Sequence, residues 1–158
     1  MLIVSDSSPI TNLIQVGLLD ILKKLFGEIT IPEQVYWELA NYEKQKTEID
    51  VRSWILIRKV SNENEVLTFE GILDSGEAEA IVLSRELGAE RLLIDEKKGR
   101  EIAQKLGLKI IGLLGILVLA KRKGHITLLK PILEKLVKEA NFYIHPKLYE
   151  KILKEDSE

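Results

Sequence analysis

Two aspartates follow short apolar stretches of the sequence, and both lie where a buried strand is expected to end. Residues 2–4 (Leu-Ile-Val) are followed by Ser5 and Asp6, and residues 92–94 (Leu-Leu-Ile) are followed directly by Asp95. Ligands of parallel α/β sheets bind at the carboxyl ends of strands, so these carboxylates would converge if their strands are neighbours. The alternative is that each aspartate only forms a turn with the backbone that follows it.

Glu38 lies on the apolar stripe of a predicted helix. Val35, Leu39 and Tyr42 are spaced i, i+4 and i+7, and Glu38 at i+3 falls on the same face. A charge in that position needs a partner. Glu38 is therefore either part of a site or a boundary residue that reaches solvent or an ion pair.

Three further glutamates are open to both kinds of interpretation. Glu77 and Glu79 are two residues apart on a predicted helix, so at most one of them points straight into a given cleft. Asp74 and Glu77 also fit a capping box, which would explain this glutamate without any catalytic role. Glu96, beside Asp95, is most simply a solvated charge and is kept as a reserve ligand.

A cluster of these carboxylates would indicate metal chemistry. Two carboxylates about 4 Å apart repel by roughly 4 kcal/mol at an effective dielectric near 20, so several cannot be ionised together without protons or a cation. The chain has no cysteine and only two histidines, so oxygen would have to hold any metal, which favours Mg²⁺ or Mn²⁺. The matching reaction is metal-assisted hydrolysis of a phosphodiester bond.

The composition is typical of a globular protein and limits the classes of function. Hydrophobic residues make up 46% and charged residues 30% of the 158 residues, which argues against a disordered chain. The net charge of -2 provides no general basic field, so local patches must supply any nucleic-acid affinity. Asp6 interrupts the first apolar stretch too early for a signal peptide, and the apolar run at residues 110–120 is too short to span a bilayer. We expect a cytoplasmic protein without membrane contact.

Strand patterns alternate with helix patterns along the chain, which predicts an α/β fold with a parallel sheet covered on both faces. The predicted strands are residues 2–4, 28–31, 54–60, 92–94 and 108–111, with a further short strand at 142–144. The predicted helices are residues 9–26 as one helix or two, 32–46, 74–87, 97–106, 113–123 and 131–140, and a last helix from 146. Ser8 is expected to cap the first helix, with Pro9 at its first position. No interior linker divides the chain, so we expect a single domain, 1–158, with a C-terminal helical portion from about residue 128.

Four stretches of the sequence resemble the PIN-domain ribonucleases, a family that includes toxins of the virulence-associated protein C type and a related group of archaeal and bacterial proteins without an assigned role. The stretches are S-D-S-S-P-I, I-P-E-Q-V-Y-W-E-L, L-D-S-G-E-A-E-A-I, and L-L-I-D-E-K-K-G-R followed by A-Q-K-L-G-L-K-I-I-G-L-L-G-I-L. The resemblance implies a three-layer α/β/α sandwich with a mostly parallel sheet. It also implies an acidic pocket that binds Mg²⁺ or Mn²⁺ for endonucleolytic cleavage of RNA.

The resemblance assigns the catalytic and metal-binding roles by position. The four acids are Asp6, Glu38, Glu77 and Asp95, with Ser7 in a supporting position. Glu79 could take the place of Glu77, and Glu96 could take the place of Asp95. The third acid is often aspartate in the family and is glutamate here.

Basic residues and partners complete the expectations. Lys97, Lys98 and Arg100 follow Asp95 and could guide an RNA backbone, because phosphate contacts dominate nucleic-acid affinity. The alternative is an ordinary solvated helix face. The resemblance further implies a homodimer and, if the protein is the toxin of a toxin-antitoxin pair, an antitoxin that fills the acidic groove.

Two other functions compete with the nuclease. A PIN-like module without catalysis, binding RNA or a protein, is favoured if Glu77 and Glu79 both point away from Asp6. A phosphoryl-accepting regulatory domain would need a central nucleophilic aspartate with a suitably placed lysine, and the surroundings of Asp95 do not favour it. Neither glycine-rich nucleotide-binding motif, G-x-G-x-x-G or G-x-x-x-x-G-K-[ST], occurs in the chain.

Overall fold

The computed structural model describes residues 1–158 and is built around a five-stranded sheet. The strands are β1 (Ile3–Ser5), β2 (Ile29–Pro32), β3 (Ile55–Arg58), β4 (Arg91–Leu93) and β5 (Ile110–Ile111). Their order in the sheet is β3-β2-β1-β4-β5, and every neighbouring pair is parallel. All five strands therefore end at the same edge of the sheet.

Ten helices connect or follow the strands. They are α1 (Ser7–Gln15), α2 (Ile21–Phe26), α3 (Glu33–Ala40), α4 (Glu43–Asp50), α5 (Glu63–Leu67), α6 (Ser75–Leu87), α7 (Lys97–Lys105), α8 (Leu113–Arg122), α9 (Lys130–Glu139) and α10 (Pro146–Glu155). None of them combines the length and the apolar character that crossing a membrane requires.

Side chains of the sheet alternate between two apolar cores, one on each face. Ile3 of β1 and Leu93 of β4 pack into the larger core, together with α1 to α4 and α8 to α10. Val4 and Leu92, the neighbours of these residues along the same strands, pack into the smaller core with α6 and α7. This period of two is that of strands buried on both faces. The predicted three-layer α/β/α sandwich with a parallel sheet is confirmed.

The strand order reverses beside β1, and the reversal places the candidate residues. The chain runs outward from β1 to β2 and β3, and then returns to form β4 on the other side of β1. Ser5 and Leu93, the last residues of β1 and β4, are partners in the register. Asp6 and Asp95 follow these two neighbouring strands, at the switch point where ligands of such sheets bind.

Three local predictions were wrong. The first helix begins at Ser7, with Asp6 rather than Ser8 in the N-cap position, since aspartate is as good a cap as serine. The helix predicted for residues 32–46 is broken at Tyr42, whose extended backbone separates α3 from α4. Residues 142–144 form no strand, because Ile144 is buried in the larger core and the N–H of Phe142 donates to the carbonyl of Leu136 on α9 instead of to a strand.

Glu158 ties the C-terminal helices together. Its carboxylate accepts hydrogen bonds from the backbone N–H groups of Leu129 and Lys130, at the start of α9, and from the ammonium group of Lys121 on α8. Burial alone would raise the pKa of Glu158, but these hydrogen bonds lower it to about 2. The negative charge at the N-terminus of α9 stabilises that helix and holds the end of α10 beside α8.

Candidate active site

Asp6 is buried at the carboxyl end of β1 without the contact that usually explains an aspartate there. Its side chain is 3% exposed, and it occupies the N-cap position of α1. An N-cap aspartate normally accepts a hydrogen bond from the backbone N–H of the second or third residue of its helix. Asp6 makes no such side-chain bond, and its Oδ1 has no partner at all.

Other acids surround Asp6 and change its acidity. Burial raises the pKa of Asp6 to about 7, and the backbone N–H of Ser7 offsets part of that effect. The charges of Asp74, Glu38 and Asp95 raise the pKa further. A carboxyl group in this environment retains its proton close to neutral pH unless a cation replaces the proton.

Glu77 serves as a helix cap and also points into the acidic cluster. The Glu77 N–H donates to Asp74 Oδ1 at 2.8 Å, and the Asp74 N–H donates to Glu77 Oε1 at 3.4 Å, so the predicted capping box is present. Glu77 is nevertheless only 5% exposed, and its Oε2 has no partner. Burial raises the pKa of Glu77 to about 8, and the nearby carboxylates of Asp74 and Asp6 add to the effect.

Glu38 joins α3 to the start of α1. The hydroxyl of Ser7 donates to Glu38 Oε2 at 3.0 Å. Burial raises the pKa of Glu38, the Ser7 hydrogen bond lowers it, and the charge of Asp74 raises it. The half-buried carboxylate is thus held in one orientation by the serine that the resemblance assigns a supporting role.

Asp95 bonds to a distant helix rather than to the backbone that follows it. Its Oδ1 accepts a hydrogen bond of 2.8 Å from the N–H of Leu113, the first residue of α8. Its Oδ2 is buried and has no partner. Burial raises the pKa of Asp95, whereas the Leu113 N–H and the charge of Arg100 lower it.

The two reserve glutamates lie in different places. Glu79 accepts a hydrogen bond of 3.3 Å from the N–H of Gln34 and lines a separate groove of about 440 Å³ with Trp37. Burial raises the pKa of Glu79 within that groove. Glu96 is exposed, precedes α7 and lines the same cavity as Asp95. The structure therefore brings Glu77, rather than Glu79, to Asp6.

Asp74 is the member of the acidic cluster that sequence reasoning missed. The sequence pattern explained it fully as a helix cap, and it does cap α6. The same carboxylate raises the pKa values of Asp6, Glu38 and Glu77. Its position three residues before Glu77 was the available signal, because the reciprocal hydrogen bonds of a capping box hold the two carboxylates close together.

Three glycines leave the space that three carboxylates occupy. The pairs are Gly76 with Glu38, Gly99 with Glu77 and Gly112 with Asp95, where an added Cβ would lie 2.4, 2.7 and 2.8 Å from a carboxylate oxygen. None of these glycines has a positive φ. The site therefore requires glycine here for space and not for an unusual backbone conformation.

We expect Gly76→Ala to displace the Glu38 carboxylate while the protein stays folded. The new Cβ would lie 2.4 Å from Oε1, at the end of a flexible side chain, and alanine is at least as well tolerated as glycine in a helix. Mn²⁺ affinity, measured by calorimetric titration, should fall about 10-fold or more, as for other changes that disturb ligand orientation. Ser75→Ala, at the exposed neighbouring position, is the matched control. If folded Gly76→Ala binds Mn²⁺ as tightly as the parent, Glu38 is not a ligand of the metal.

The donor atoms of the cluster suit a divalent cation that prefers oxygen. All of the groups are carboxylates, and three of their buried oxygens lack partners: Asp6 Oδ1, Glu77 Oε2 and Asp95 Oδ2. No three acidic side chains of the chain converge closely enough to form a complete ligand set by themselves. Mg²⁺ usually retains several waters and binds only one or two carboxylates directly, so the residues present fit an ion of this kind.

A cavity of about 650 Å³ opens beside the cluster. Asp95, Glu96 and Arg100 line it, together with Phe142 and Tyr143 from the segment between α9 and α10. Lys97 and Lys98 are exposed at the start of α7 and do not line this cavity. Arg100 is thus the only one of the three predicted RNA-guiding cations that the structure places at the site.

Comparison with known proteins identifies one family. A family model described as the PIN domain matches residues 2–158, which include every residue of the acidic cluster. No curated protein matches the chain closely enough to count as a relative.

Proposed function

The chain belongs to the PIN-domain family, whose members are generally nucleases, and on this basis we propose that it is an endoribonuclease that depends on Mg²⁺ or Mn²⁺. The observation that carries the proposal is the buried acidic cluster around Asp6, with its unpartnered carboxylate oxygens at the switch point of the sheet. When bound, the metal would polarise the scissile phosphate and activate a water for attack. The products would be one RNA end with a phosphate monoester and one with a hydroxyl group.

Asp6, Glu38, Glu77 and Asp95 are the residues proposed to hold the ion, one or two of them directly and the others through its bound waters. The hydrogen bonds from Ser7 to Glu38 and from Leu113 to Asp95 orient two of these carboxylates. Such preorganisation matters because a site that must reorder its ligands binds and stabilises charge less well. Asp74, whose charge acts on three of the four acids, adds negative potential to the same crevice.

The raised pKa values in the cluster support a site at which a metal cation replaces protons on the carboxyl groups. With pKa values of about 7 for Asp6 and about 8 for Glu77, both groups hold protons at mildly acidic pH. These protons must leave before the carboxylates can act as ligands. The proposed activity should therefore increase as the pH rises from about 6 to about 8.

The position of Glu77 favours catalysis over the inactive alternative. A module without catalysis was expected to direct Glu77 and Glu79 both away from Asp6. Glu77 is buried, and the charge of Asp6 contributes to the raised pKa of Glu77, so the two carboxylates lie near one another. The phosphoryl-accepting alternative is not supported by the surroundings of Asp95, where the nearby cation is Arg100 and not a lysine.

The partners implied by the family resemblance stay predictions. These are an RNA substrate, a homodimer and, for a toxin of a toxin-antitoxin pair, an antitoxin that fills the acidic groove. An antitoxin segment suited to this groove would carry a cation, because the groove is lined by carboxylates.

A cleavage assay tests the proposed function directly. End-labelled single-stranded RNAs should be cut internally in the presence of Mg²⁺ or Mn²⁺, and cleavage should stop when EDTA removes the metal. Calorimetry on the same preparation shows whether the metal binds. Metal binding without cleavage of any RNA would favour the module without catalysis. If the protein neither binds metal nor cleaves RNA, the proposed metal site is wrong.

A further inference from the structure

The cavity beside the acidic cluster combines polar and aromatic groups in one space. Its volume of about 650 Å³ lies within the range of small-molecule and nucleotide sites. The walls come from α1, from the region between Asp95 and α8, and from the segment that leads into α10. The acidic cluster and this cavity share Asp95, so a ligand in the cavity lies directly next to the proposed cleavage centre.

Arg100 supplies an unpaired cation to the cavity. It forms no salt bridge within the chain, although its charge lowers the pKa of Asp95. Its Nη1 lies 3.5 Å from the position that a Cβ on Gly112 would take, at the mouth of the turn before α8. A guanidinium in such a position is well suited to bind a phosphate oxygen.

Tyr143 presents an aromatic ring that the fold does not bury. It lines the cavity and is 77% exposed, while its neighbours are anchored. Asn141 makes a turn with φ +52, the N–H of Phe142 donates to the carbonyl of Leu136 at 3.1 Å, and Ile144 is buried in the core. The backbone on both sides therefore holds the exposed ring at the cavity rather than leaving it on a free loop.

Asn12 adds a group that can distinguish between bases. It is half-buried on α1 and lines the cavity. Its side-chain amide offers two donors and one acceptor. Amides of this kind pair with the hydrogen-bonding edge of a base.

We propose that this cavity binds one unpaired nucleotide of single-stranded RNA, adjacent to the bond that is cleaved. Arg100 contacts a phosphate, Tyr143 stacks on the base, and Asn12 contacts the edge of the base. The inference rests on the proposed nuclease function and adds to it three named contacts, to a phosphate, to the face of a base and to its edge. In a duplex, the bases remain stacked on one another and do not offer a free face to Tyr143.

Binding measurements without cleavage test the nucleotide site. In an Asp6→Asn background with Mg²⁺ present, fluorescence anisotropy would measure the affinity for a short single-stranded RNA. Tyr143→Ala should weaken binding roughly 5-fold to 100-fold, the effect of losing one stacked base. Tyr143→Phe, which keeps the ring, should bind within about twofold of the parent. Tyr42→Ala removes a ring that is 64% exposed and outside the cavity, so it is the matched control and should leave affinity unchanged.

The outcomes separate this site from the nuclease proposal. Suppose that binding of single-stranded RNA depends on Tyr143 but the wild-type protein never cleaves RNA. The proposed nucleotide site would then be supported, and the proposed nuclease function would be contradicted. Folded Tyr143→Ala that binds RNA as tightly as the parent would overturn the nucleotide site, whatever the activity. Tight binding of a fully paired RNA hairpin with the same dependence on Tyr143 would also overturn it.

Discussion

Replacing Asp6 by asparagine should abolish metal-dependent RNA cleavage and leave the fold intact. Asp6 is the centre of the cluster, because the charges of Asp74, Glu38 and Asp95 all act on it. Asparagine has nearly the same shape but cannot supply a negative charge to a cation. We expect kcat/KM to fall by at least roughly 10²- to 10³-fold, the usual effect of removing one preorganised electrostatic group.

The design of the Asp6→Asn experiment distinguishes loss of charge from loss of structure. The amide removes the repulsion between Asp6 and its acidic neighbours, so thermal stability without metal should be equal to or higher than that of the parent. Asp50→Asn, an exposed change on α4 far along the chain, controls for the substitution itself and costs little, because exposed ion pairs contribute little. An Asp6→Asn protein that cuts RNA at the parental rate would remove Asp6 from the mechanism.

The layers of the fold could be predicted because they depend on local pattern. Five of the six short apolar runs predicted as strands are strands in the structure, and each longer amphipathic stretch contains at least one helix. The break at Tyr42 and the missing strand at residues 142–144 could not be predicted. At residues 142–144 the burial of Ile144 in the larger core outweighs local strand preference. Tyr42 is 64% exposed, and nothing in the sequence pattern marks the extended backbone there.

The acidic site shows what depends on long-range structure. Two strand-end aspartates suggested a shared crevice, but only the strand order places β1 beside β4 and brings Asp6 close to Asp95. The choice between Glu77 and Glu79 depends on how α6 is rotated against the sheet, which two helix positions two residues apart do not reveal. The space that Gly76 leaves for Glu38 arises from contact between α3 and α6, so no local pattern announces it.

Without metal, the protein should lose stability as the pH rises from about 4 to about 8. Asp6 and Glu77 have pKa values near 3.8 and 4.5 in the unfolded chain but about 7 and about 8 in the folded protein. Between these limits the folded protein holds protons that the unfolded chain has released, so unfolding becomes more favourable as the pH rises. The stabilisation is complete below pH 4 and is lost by the time the pH exceeds both folded values.

The size of this pH effect is large enough to measure by thermal unfolding. The change in the pKa of Asp6, a side chain that is 3% exposed, corresponds to about 4 kcal/mol at most. For a chain of this length that is a decrease in Tm of roughly 10 °C between acidic and mildly alkaline pH. Asp6→Asn, which has no proton to lose, should show a distinctly smaller decrease.

Divalent metal should reverse the loss of stability, and mainly at the higher pH. At pH 8 Asp6 and Glu77 have largely released their protons, so Mg²⁺ or Mn²⁺ can bind the carboxylates and stabilise the folded state by mass action. At pH 5 the protons compete with the ion, and the same metal concentration should raise Tm much less. A metal effect that is equal at both pH values, or that survives in Asp6→Asn, would mean that the ion binds elsewhere. In that case protons alone would relieve the repulsion among the carboxylates around Asp6, and the proposed metal site would be contradicted.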